Sequence, residues 1–289
     1  MSATHRPVLP VLGFEGACDC HMHVYGSHYP VAPGAQLRPP DASVDDYRQL
    51  QRMLGTERVV VVTPSTYGTD NTSTVDAISA FGDCARGVAV VPASVTDAEL
   101  DHLHRSGIRG IRLNLRLPAP LTLDDLPTLA ARIAAFGWHV QLNLPAEWLP
   151  DIGGKLASLP VPLVFDHYGH LRLGTPRAEP AYRVIADLVS AGKAWVKLSG
   201  PYLESREGAP DYGDMRTLAV RYMVLAPERV VWGSDWPHPS VHAKGGEPID
   251  DRTVLQTFLR WCDSIEAATQ RVLVSNPQVL YGFPDAKPA

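Results

Sequence analysis

Two histidines stand two residues apart in the segment 17–24, which reads ACDCHMHV. Side chains alternate between the two faces of a strand, so His21 and His23 are predicted to share one face, with Asp19 below them on the same side. Two convergent imidazoles can hold a divalent metal ion or polarise a carbonyl group, and both promote hydrolysis. An ordinary strand with two polar residues at its exit has the same pattern, so the rest of the chain must decide.

Polar residues recur at the predicted ends of most strands. Apart from the two histidines of the first strand, they are Thr63, Ser65, Tyr67, Asn71, Arg112, Asn114, Gln141, Asn143, Asp166, His167, His170, Lys197, Ser199, Asp235 and His238. Burying so many unpaired polar groups in an apolar core would be costly, so a polar cavity is the interpretation we prefer. Lys197 or Arg112 could instead be half of a structural ion pair beneath the cavity. Asp19 and Asp166 could fix the tautomers of the histidines.

Short β-branched runs alternate with helical stretches along the whole chain. The predicted strands cover 17–21, 58–63, 87–92, 107–113, 139–144, 162–166, 194–198 and 229–234. Nearly continuous apolar strands that alternate with helices indicate a parallel sheet covered on both faces. Eight of them predict an α/β fold, a (β/α)8 TIM barrel, with the whole chain 1–289 as a single domain. The absence of a glycine-rich phosphate-binding motif after any strand weakens nucleotide-binding alternatives.

The predicted helices have recognisable ends. One begins after Ser43, with Asp46 three residues further on, and runs to Gly55. Another begins at Thr96, where Glu99 forms a near capping box. The remaining predicted helices cover 123–136, 178–191, 212–225 and 250–264.

Two connections are long for a compact domain. The segments 24–42, which begins just after the second histidine, and 200–213 are rich in proline and glycine. Loops of this length usually act as lids or substrate-binding segments, with disorder as the alternative. Both follow strands, which places them at the face where barrel active sites form. Residues 1–15 are an N-terminal extension in this interpretation.

Composition narrows the class of protein. A formal net charge of −5 offers no basic surface for nucleic acid or membranes. No apolar run reaches membrane-spanning length, and the start of the chain lacks a signal-peptide core. The four cysteines do not form a disulfide framework, and Cys18 and Cys20 are expected to face the outer layer of the barrel as small buried hydrophobes. We therefore expect a soluble, cytoplasmic protein that binds a small molecule; whether it forms a homo-oligomer is left open.

Six segments together resemble a known family. They are DCHMHV, GIRGIRLNL, VFDHYGH, WVKLSGPY, APERVVWGSDWPHP and NPQVLYGF, spread in order over almost the whole chain. They resemble the amidohydrolase superfamily, in the branch that contains 2-pyrone-4,6-dicarboxylate lactonase and is close to 4-sulfomuconolactone hydrolase and D-galactarolactone isomerase. The resemblance implies an enzyme that opens or isomerises lactones of sugar acids or of aromatic breakdown products.

The resemblance also implies roles by position. Asp235 would be the general base that activates water, while His21, His23 and His167 would polarise the lactone carbonyl or bind a metal. Arg112 would contact a substrate carboxylate. The other candidate substrate contacts are Tyr25, Ser65, Tyr67, Asn114, Asn143, His170, Lys197, Ser199 and His238.

Two positions depart from the pattern of the dicarboxylate lactonase. That enzyme has an arginine six residues after the one that matches Arg112, where this chain has Pro118, and another where this chain has His170. Losing two guanidinium groups removes bidentate carboxylate recognition, so the pyrone dicarboxylate itself is not the expected substrate. Isomerase-like members lack part of the set formed by the HxH histidines and the aspartate. This chain keeps the whole set. That favours hydrolysis over isomerisation.

The need for a metal stays open at this point. Binuclear members of the superfamily use a bridging lysine or glutamate and an additional histidine from neighbouring strands. Two metal ions are not expected here, because the fifth strand offers only Gln141 and Asn143 and the seventh only Lys197 and Ser199. A single Zn²⁺ would suit His21, His23, His167 and Asp235, which could also act with no cofactor. The sequence thus predicts a hydrolase that opens a small anionic lactone. The alternatives are a lactone isomerase of the galactarolactone type, a zinc-dependent decarboxylase on the same scaffold, and a sugar-acid binding protein.

Overall fold

Eight parallel strands, each paired with the next in chain order, form the centre of the computed structural model, which describes residues 10–13, 15–117 and 120–284. The strands are β1 Cys18–Met22, β2 Arg58–Val62, β3 Ala85–Ala89, β4 Ile108–Asn114, β5 His139–Asn143, β6 Leu163–Phe165, β7 Ala194–Ser199 and β8 Val230–Gly233. The barrel closes where the amide of Asp235 donates to the carbonyl of His21 (2.8 Å) and that of His23 donates to Trp236 (2.8 Å). The predicted (β/α)8 TIM barrel is confirmed.

Helices connect the strands and cover the outside of the barrel. They are α1 Val44–Leu54, α2 Thr72–Phe81, α3 Asp97–Arg105, α4 Leu126–Ala134, α5 Leu149–Ala157, α6 Ala178–Ser190, α7 Gly213–Leu225, α8 Pro239–Lys244, α9 Asp251–Cys262, α10 Ala268–Gln270 and α11 Asn276–Tyr281. Both predicted caps are present as complete capping boxes, Ser43 with Asp46 and Thr96 with Glu99. Sequence reasoning missed α2 and α5, whose Ser/Thr-rich and Gly-Gly segments have low helix propensity, and also the short helices α8, α10 and α11.

The interior of the barrel is divided along its axis. Its lower half is mainly apolar, with valines of β2, β3, β6 and β8 packed against Trp195. The side chains of Tyr281 and Phe283 join this cluster at the base, where the buried ring of His139 contacts Tyr281. A larger apolar layer lies between the strands and the helices. The polar strand-end residues are therefore confined to the upper half, at the carboxyl ends of the strands.

An irregularity in β1 overturns two predictions about side-chain direction. Asp19 pairs with Val59 of β2 while Met22 pairs with Val61, so β1 holds one extra residue in this stretch. Such a bulge breaks the alternation of faces. Cys18 and Cys20 consequently lie inside the barrel, where their sulfur atoms are 3.7 Å apart, and not in the outer layer.

Asp19 points the other way, towards the helices. Its carboxylate accepts hydrogen bonds from the hydroxyl of Tyr47 in α1 (2.9 Å) and from the amide of Ser234 (2.9 Å). Burial raises the pKa of Asp19 to about 6, although these hydrogen bonds oppose the shift. The prediction that it lies below the histidines and fixes an imidazole tautomer is wrong, because the bulge gives it the opposite face.

Both long connections are anchored. The ends of 24–42 are joined by a pair of hydrogen bonds between Tyr25 and Ala42 (3.0 and 2.9 Å), and the hydroxyl of Tyr67 binds the backbone of Gly26. The segment 200–213 begins with a helical turn, Pro201–Leu203.

Of the predicted extension 1–15, residues 1–9 and 14 lie outside the described residues, as does Pro118. No helix in the described part of the chain is long and apolar enough to cross a membrane.

Candidate active site at the carboxyl ends of the strands

One aspartate lies at the centre of three imidazoles. Oδ1 of Asp235 is 3.5 Å from Nε2 of His21, 3.6 Å from Nε2 of His23 and 4.0 Å from Nε2 of His167. His21 lies in β1 and His23 directly follows it, while His167 follows β6 and Asp235 follows β8. All four side chains are buried. The fold thus gathers at one point four groups that lie far apart in the sequence.

The backbone that presents these groups is unusual. Asp235 and His167 have φ angles of 65° and 49°, a region that side-chain-bearing residues seldom adopt. Strain of this kind is tolerated where the surroundings hold the chain in place, and it concentrates at functional sites. Close packing of β8 against β1 adds a constraint, because a Cβ at Gly233 would lie 2.8 Å from the backbone nitrogen of His21.

Each histidine is oriented through its second ring nitrogen. Nδ1 of His23 lies 2.7 Å from the carbonyl oxygen of Val62, which can only accept, so Nδ1 carries a proton. Nδ1 of His167 contacts the hydroxyl (2.9 Å) and the carbonyl (3.3 Å) of Ser199. These contacts leave the Nε2 atoms facing Asp235. Although burial alone would raise the pKa of Asp235, the imidazoles hold it well below its usual range.

A buried ionic network supports the site from beneath. Asp166 accepts hydrogen bonds from Nε of Arg112 (3.0 Å) and from the amide of Gln141 (3.0 Å), and its Oδ1 is 3.5 Å from Nζ of Lys197. The ammonium group also donates to Gln141 (2.8 Å) and lies 3.2 Å from Nδ1 of His21. Burial opposes ionisation of Asp166, yet Lys197, His21 and Arg112 keep its pKa well below the usual range. Burial lowers the pKa of Lys197.

A cavity opens above the histidines. Strand-end residues form its floor, while Leu37 from segment 24–42, Leu203 from segment 200–213 and Lys244 from α8 form part of its wall. The lining contains both polar and apolar side chains, which suits a small polar ligand with a hydrocarbon ring.

The family model described as amidohydrolase matches residues 18–283. The chain belongs to the amidohydrolase family. Among curated relatives, it is 36% identical to a 2-pyrone-4,6-dicarboxylate hydrolase from Comamonas testosteroni, covering 92% of this chain and 90% of the relative. It is 32% identical to D-galactarolactone isomerase from Agrobacterium fabrum, covering 94% and 93%. A crystal structure of an Agrobacterium tumefaciens protein in its apo form superposes with a TM-score of 0.85 at 30% identity, covering 97% of this chain and 99% of the other.

The structure of this amidohydrolase brings most of the predicted site residues to the cavity. Those that line it are His23, Tyr25, Ser65, Arg112, Asn114, Asn143, His167, His170 and Asp235. The others lie behind its wall: His21, Tyr67, Lys197, Ser199 and His238. His21, Ser199 and His238 each contact a lining residue. Tyr67 packs against Tyr25 and binds the backbone of Gly26, and Lys197 reaches the site through His21.

His238 belongs to a hydrogen-bonded chain that sequence reasoning did not find. The hydroxyl of Tyr202 donates to Oδ2 of Asp235 (2.7 Å), and its oxygen lies 2.9 Å from Nδ1 of His238. Nε2 of His238 is 3.1 Å from Oδ1 of Asp251. Although burial opposes it, Asp251 raises the pKa of His238, with a further contribution from Asp235. Tyr202 belongs to the WVKLSGPY segment, but no sequence motif around Asp251 indicates that it is connected to Tyr202 through His238.

A second missed cluster lies at the rim. Nδ1 of His170 is 2.9 Å from Oε1 of Glu204, whose two oxygens also meet Arg116 (3.0 Å) and Arg172 (3.2 Å). Burial lowers the pKa of His170 to about 4, although the hydrogen bond to Glu204 opposes the shift. Arg116 lines the main cavity together with His170. Arg116 could have been predicted as a cavity residue from its position two residues after Asn114.

The residues present fit a single divalent ion. Tetrahedral ligand atoms about 2.0–2.1 Å from zinc lie about 3.4 Å from one another, close to the separations around Asp235. Nε2 of His21 is also buried without a hydrogen-bond partner in the described residues, and an ion at this position would satisfy it. His23 presents an Nε2 lone pair to the carboxylate when its ring is neutral. His21, His23 and Asp235 are therefore the candidate ligands, with His167 beside them.

Proposed function

We propose that this amidohydrolase hydrolyses a small anionic lactone, of the kind formed from sugar acids or during breakdown of aromatic compounds. The main support is the placement of Asp235 among the Nε2 atoms of three histidines, with Arg112 in the same cavity. A carboxylate beside several groups that can stabilise an oxyanion suits attack of water on a carbonyl. The lactone chemistry in the names of the relatives supports the same conclusion.

Asp235 would act as the general base. It is ionised at neutral pH, since the imidazoles hold its pKa low. It accepts a proton from water as the water oxygen bonds to the carbonyl carbon. The proton then passes to the ring oxygen as the carbon–oxygen bond breaks, and the product is an open-chain hydroxy acid.

The histidines would stabilise negative charge on the carbonyl oxygen. His23 can do so only when its Nε2 also carries a proton or faces a cation, because its Nδ1 proton is directed at Val62. Two forms of the site therefore satisfy the geometry: one with no cofactor and a protonated imidazole, and one with a single Zn²⁺. When bound, such an ion supplies Lewis-acid polarisation of the carbonyl or of water.

The guanidinium group of Arg112 would bind a substrate carboxylate. Its Nε is directed at Asp166, which leaves its other nitrogen atoms for the cavity. Lys197 and Ser199 would position the histidines from behind, and Tyr202 would position Asp235. The segments 24–42 and 200–213 would act as the active-site loops of a single-domain enzyme, since each places a leucine in the cavity wall.

The test is a pH-indicator hydrolysis assay on a panel of sugar-acid lactones, muconolactones, sulfomuconolactone and the pyrone dicarboxylate. It is run on protein as purified, after chelator treatment, and after addition of zinc. Acid release that survives chelation supports the form without a cofactor, and release restored by zinc supports the metal form. Asp235→Asn is expected to abolish turnover with an unchanged thermal unfolding curve. Near-normal activity of that variant would show that the assigned base is wrong.

Lactone isomerisation is the second candidate. It is favoured by the 32% identity to D-galactarolactone isomerase over 94% of this chain. An isomeric lactone formed without acid release would establish it. Release of carbon dioxide would instead identify the decarboxylase alternative.

The proposed partner is a small-molecule lactone, and no role for nucleic acid or membranes is proposed. All four cysteines are free thiols, which agrees with the expected cytoplasmic location. Formation of a homo-oligomer stays a prediction.

A further inference from the structure

His170 presents an unsatisfied acceptor at the cavity. Its Nδ1 lies 2.9 Å from Oε1 of Glu204, and an ionised carboxylate can only accept, so Nδ1 carries the ring proton. In the neutral ring Nε2 is then an acceptor. This atom is buried and has no hydrogen-bond partner within the described residues, although His170 lines the cavity. A buried acceptor of this kind is costly unless a donor reaches it.

Neighbouring charges keep the tautomer of His170 in place. Arg116 and Arg172 bind the two oxygens of Glu204 at 3.0 and 3.2 Å, and they hold the pKa of Glu204 below its usual value although burial opposes them. The carboxylate therefore stays ionised beside Nδ1. Turning the ring to place its lone pair against Glu204 would set two acceptors face to face.

A second acceptor lies in the same cavity. Oδ1 of Asn143, at the end of β5, is buried and has no hydrogen-bond partner in the described part of the chain. Carboxylate and sulfonate groups have no hydrogen to donate to either acceptor, whereas a hydroxyl group has one. Arg112 and Arg116 also line the cavity, and their guanidinium groups can bind the anionic groups of a substrate.

We propose that His170, aided by Asn143, accepts a hydrogen bond from a hydroxyl group of the substrate, so that the lactone is a hydroxylated sugar-acid lactone. The rings of His170 and His167 have centroids 5.2 Å apart, so this hydroxyl would be bound beside the imidazole of His167. This assignment rests on the proposed function and names the substrate class of the same site. An arginine at position 170 would instead donate to a carboxylate.

The experiment compares a hydroxylated aldaric acid lactone with its deoxy analogue, which has the same ring and carboxylate. His170→Phe is expected to raise KM for the hydroxylated lactone by about tenfold to a hundredfold and to change that for the analogue by less than about twofold. His170→Gln, which keeps an acceptor oxygen, should recover part of the difference. His102→Asn, on the exposed face of α3, is the matched control and should behave as the wild type. Equal losses on both lactones in His170→Phe would overturn the proposal.

A binding measurement separates this inference from the proposed hydrolysis. Isothermal titration of the wild-type protein with the open-chain sugar acid and its deoxy form needs no turnover. Tighter binding of the hydroxylated acid that His170→Phe removes and His170→Gln partly restores supports the inference, even if no lactone is hydrolysed. Equal affinity of the wild-type protein for the two acids overturns it, whatever the turnover.

Discussion

The hydroxyl of Tyr202 donates to Oδ2 of Asp235 at 2.7 Å, whereas the three histidines lie nearest the other carboxylate oxygen, Oδ1. Tyr202 comes from the turn that follows β7, and Asp235 from the end of β8. One carboxylate oxygen thus faces the imidazoles while the other is tied to a tyrosine. The tyrosine is in turn held by His238, which is paired with Asp251.

Removing the hydroxyl of Tyr202 should weaken catalysis without removing it. In Tyr202→Phe the carboxylate of Asp235 loses a charge-assisted hydrogen bond, and we expect kcat to fall about tenfold with KM nearly unchanged. Steady-state kinetics on a lactone found active in the panel measures both constants. A rise in KM with unchanged kcat would assign Tyr202 to substrate binding instead. Tyr182→Phe is the control, because Tyr182 lies in α6 within the apolar layer outside the strands.

Removing the ammonium group of Lys197 should destabilise the fold. In Lys197→Met the carboxylate of Asp166 stays buried with one fewer cation, and breaking a buried pair in this way costs about 3–5 kcal/mol. Urea denaturation measures the change in the free energy of unfolding. The exposed pair of Arg105 and Asp101 provides the control, since Arg105→Ala should cost less than about 1 kcal/mol. Similar values for the two variants would contradict the interpretation of the network.

A methyl group at position 233 should disturb the site through the backbone. The added Cβ in Gly233→Ala would lie 2.7 Å from Cβ and 2.8 Å from the backbone nitrogen of His21, so β1 and β8 must separate. We expect a loss of about 1–3 kcal/mol of stability together with reduced kcat. Gly154→Ala in α5 is the control, because nothing lies within 4 Å of its added Cβ. Its stability should stay the same or rise.

Acid sensitivity should arise in part from His139. Burial lowers its pKa to about 3 from an ordinary value of 6.5, so the unfolded chain binds the proton more readily than the folded one. Its contribution to stability is therefore complete above pH 6.5 and is lost as the pH falls towards 3, at up to about 1.4 kcal/mol per pH unit. His139→Leu should lose less stability than the wild type between pH 7 and 4 in urea titrations. Parallel pH profiles for the two proteins would refute this account.

Local pattern determined the number and order of the strands and the polar character of their ends. Strand and helix periodicities, and caps such as Ser43 with Asp46, depend on residues close in the chain, so they can be recognised without coordinates. The convergence of His21, His23, His167 and Asp235 followed from the same reasoning, because carboxyl ends of barrel strands meet on one face.

Tertiary structure alone decided the direction of individual side chains and their partners. The extra residue in β1 arises from pairing with β2, and it sends Asp19 towards Tyr47 while Cys20 enters the barrel. Contacts such as Tyr202 with Asp235 and His170 with Glu204 join separate strand ends through loops. These depend on strand register and loop path across the whole barrel, which no short stretch of sequence encodes; periodicity therefore determined which elements form the site, and register determined which atoms meet there.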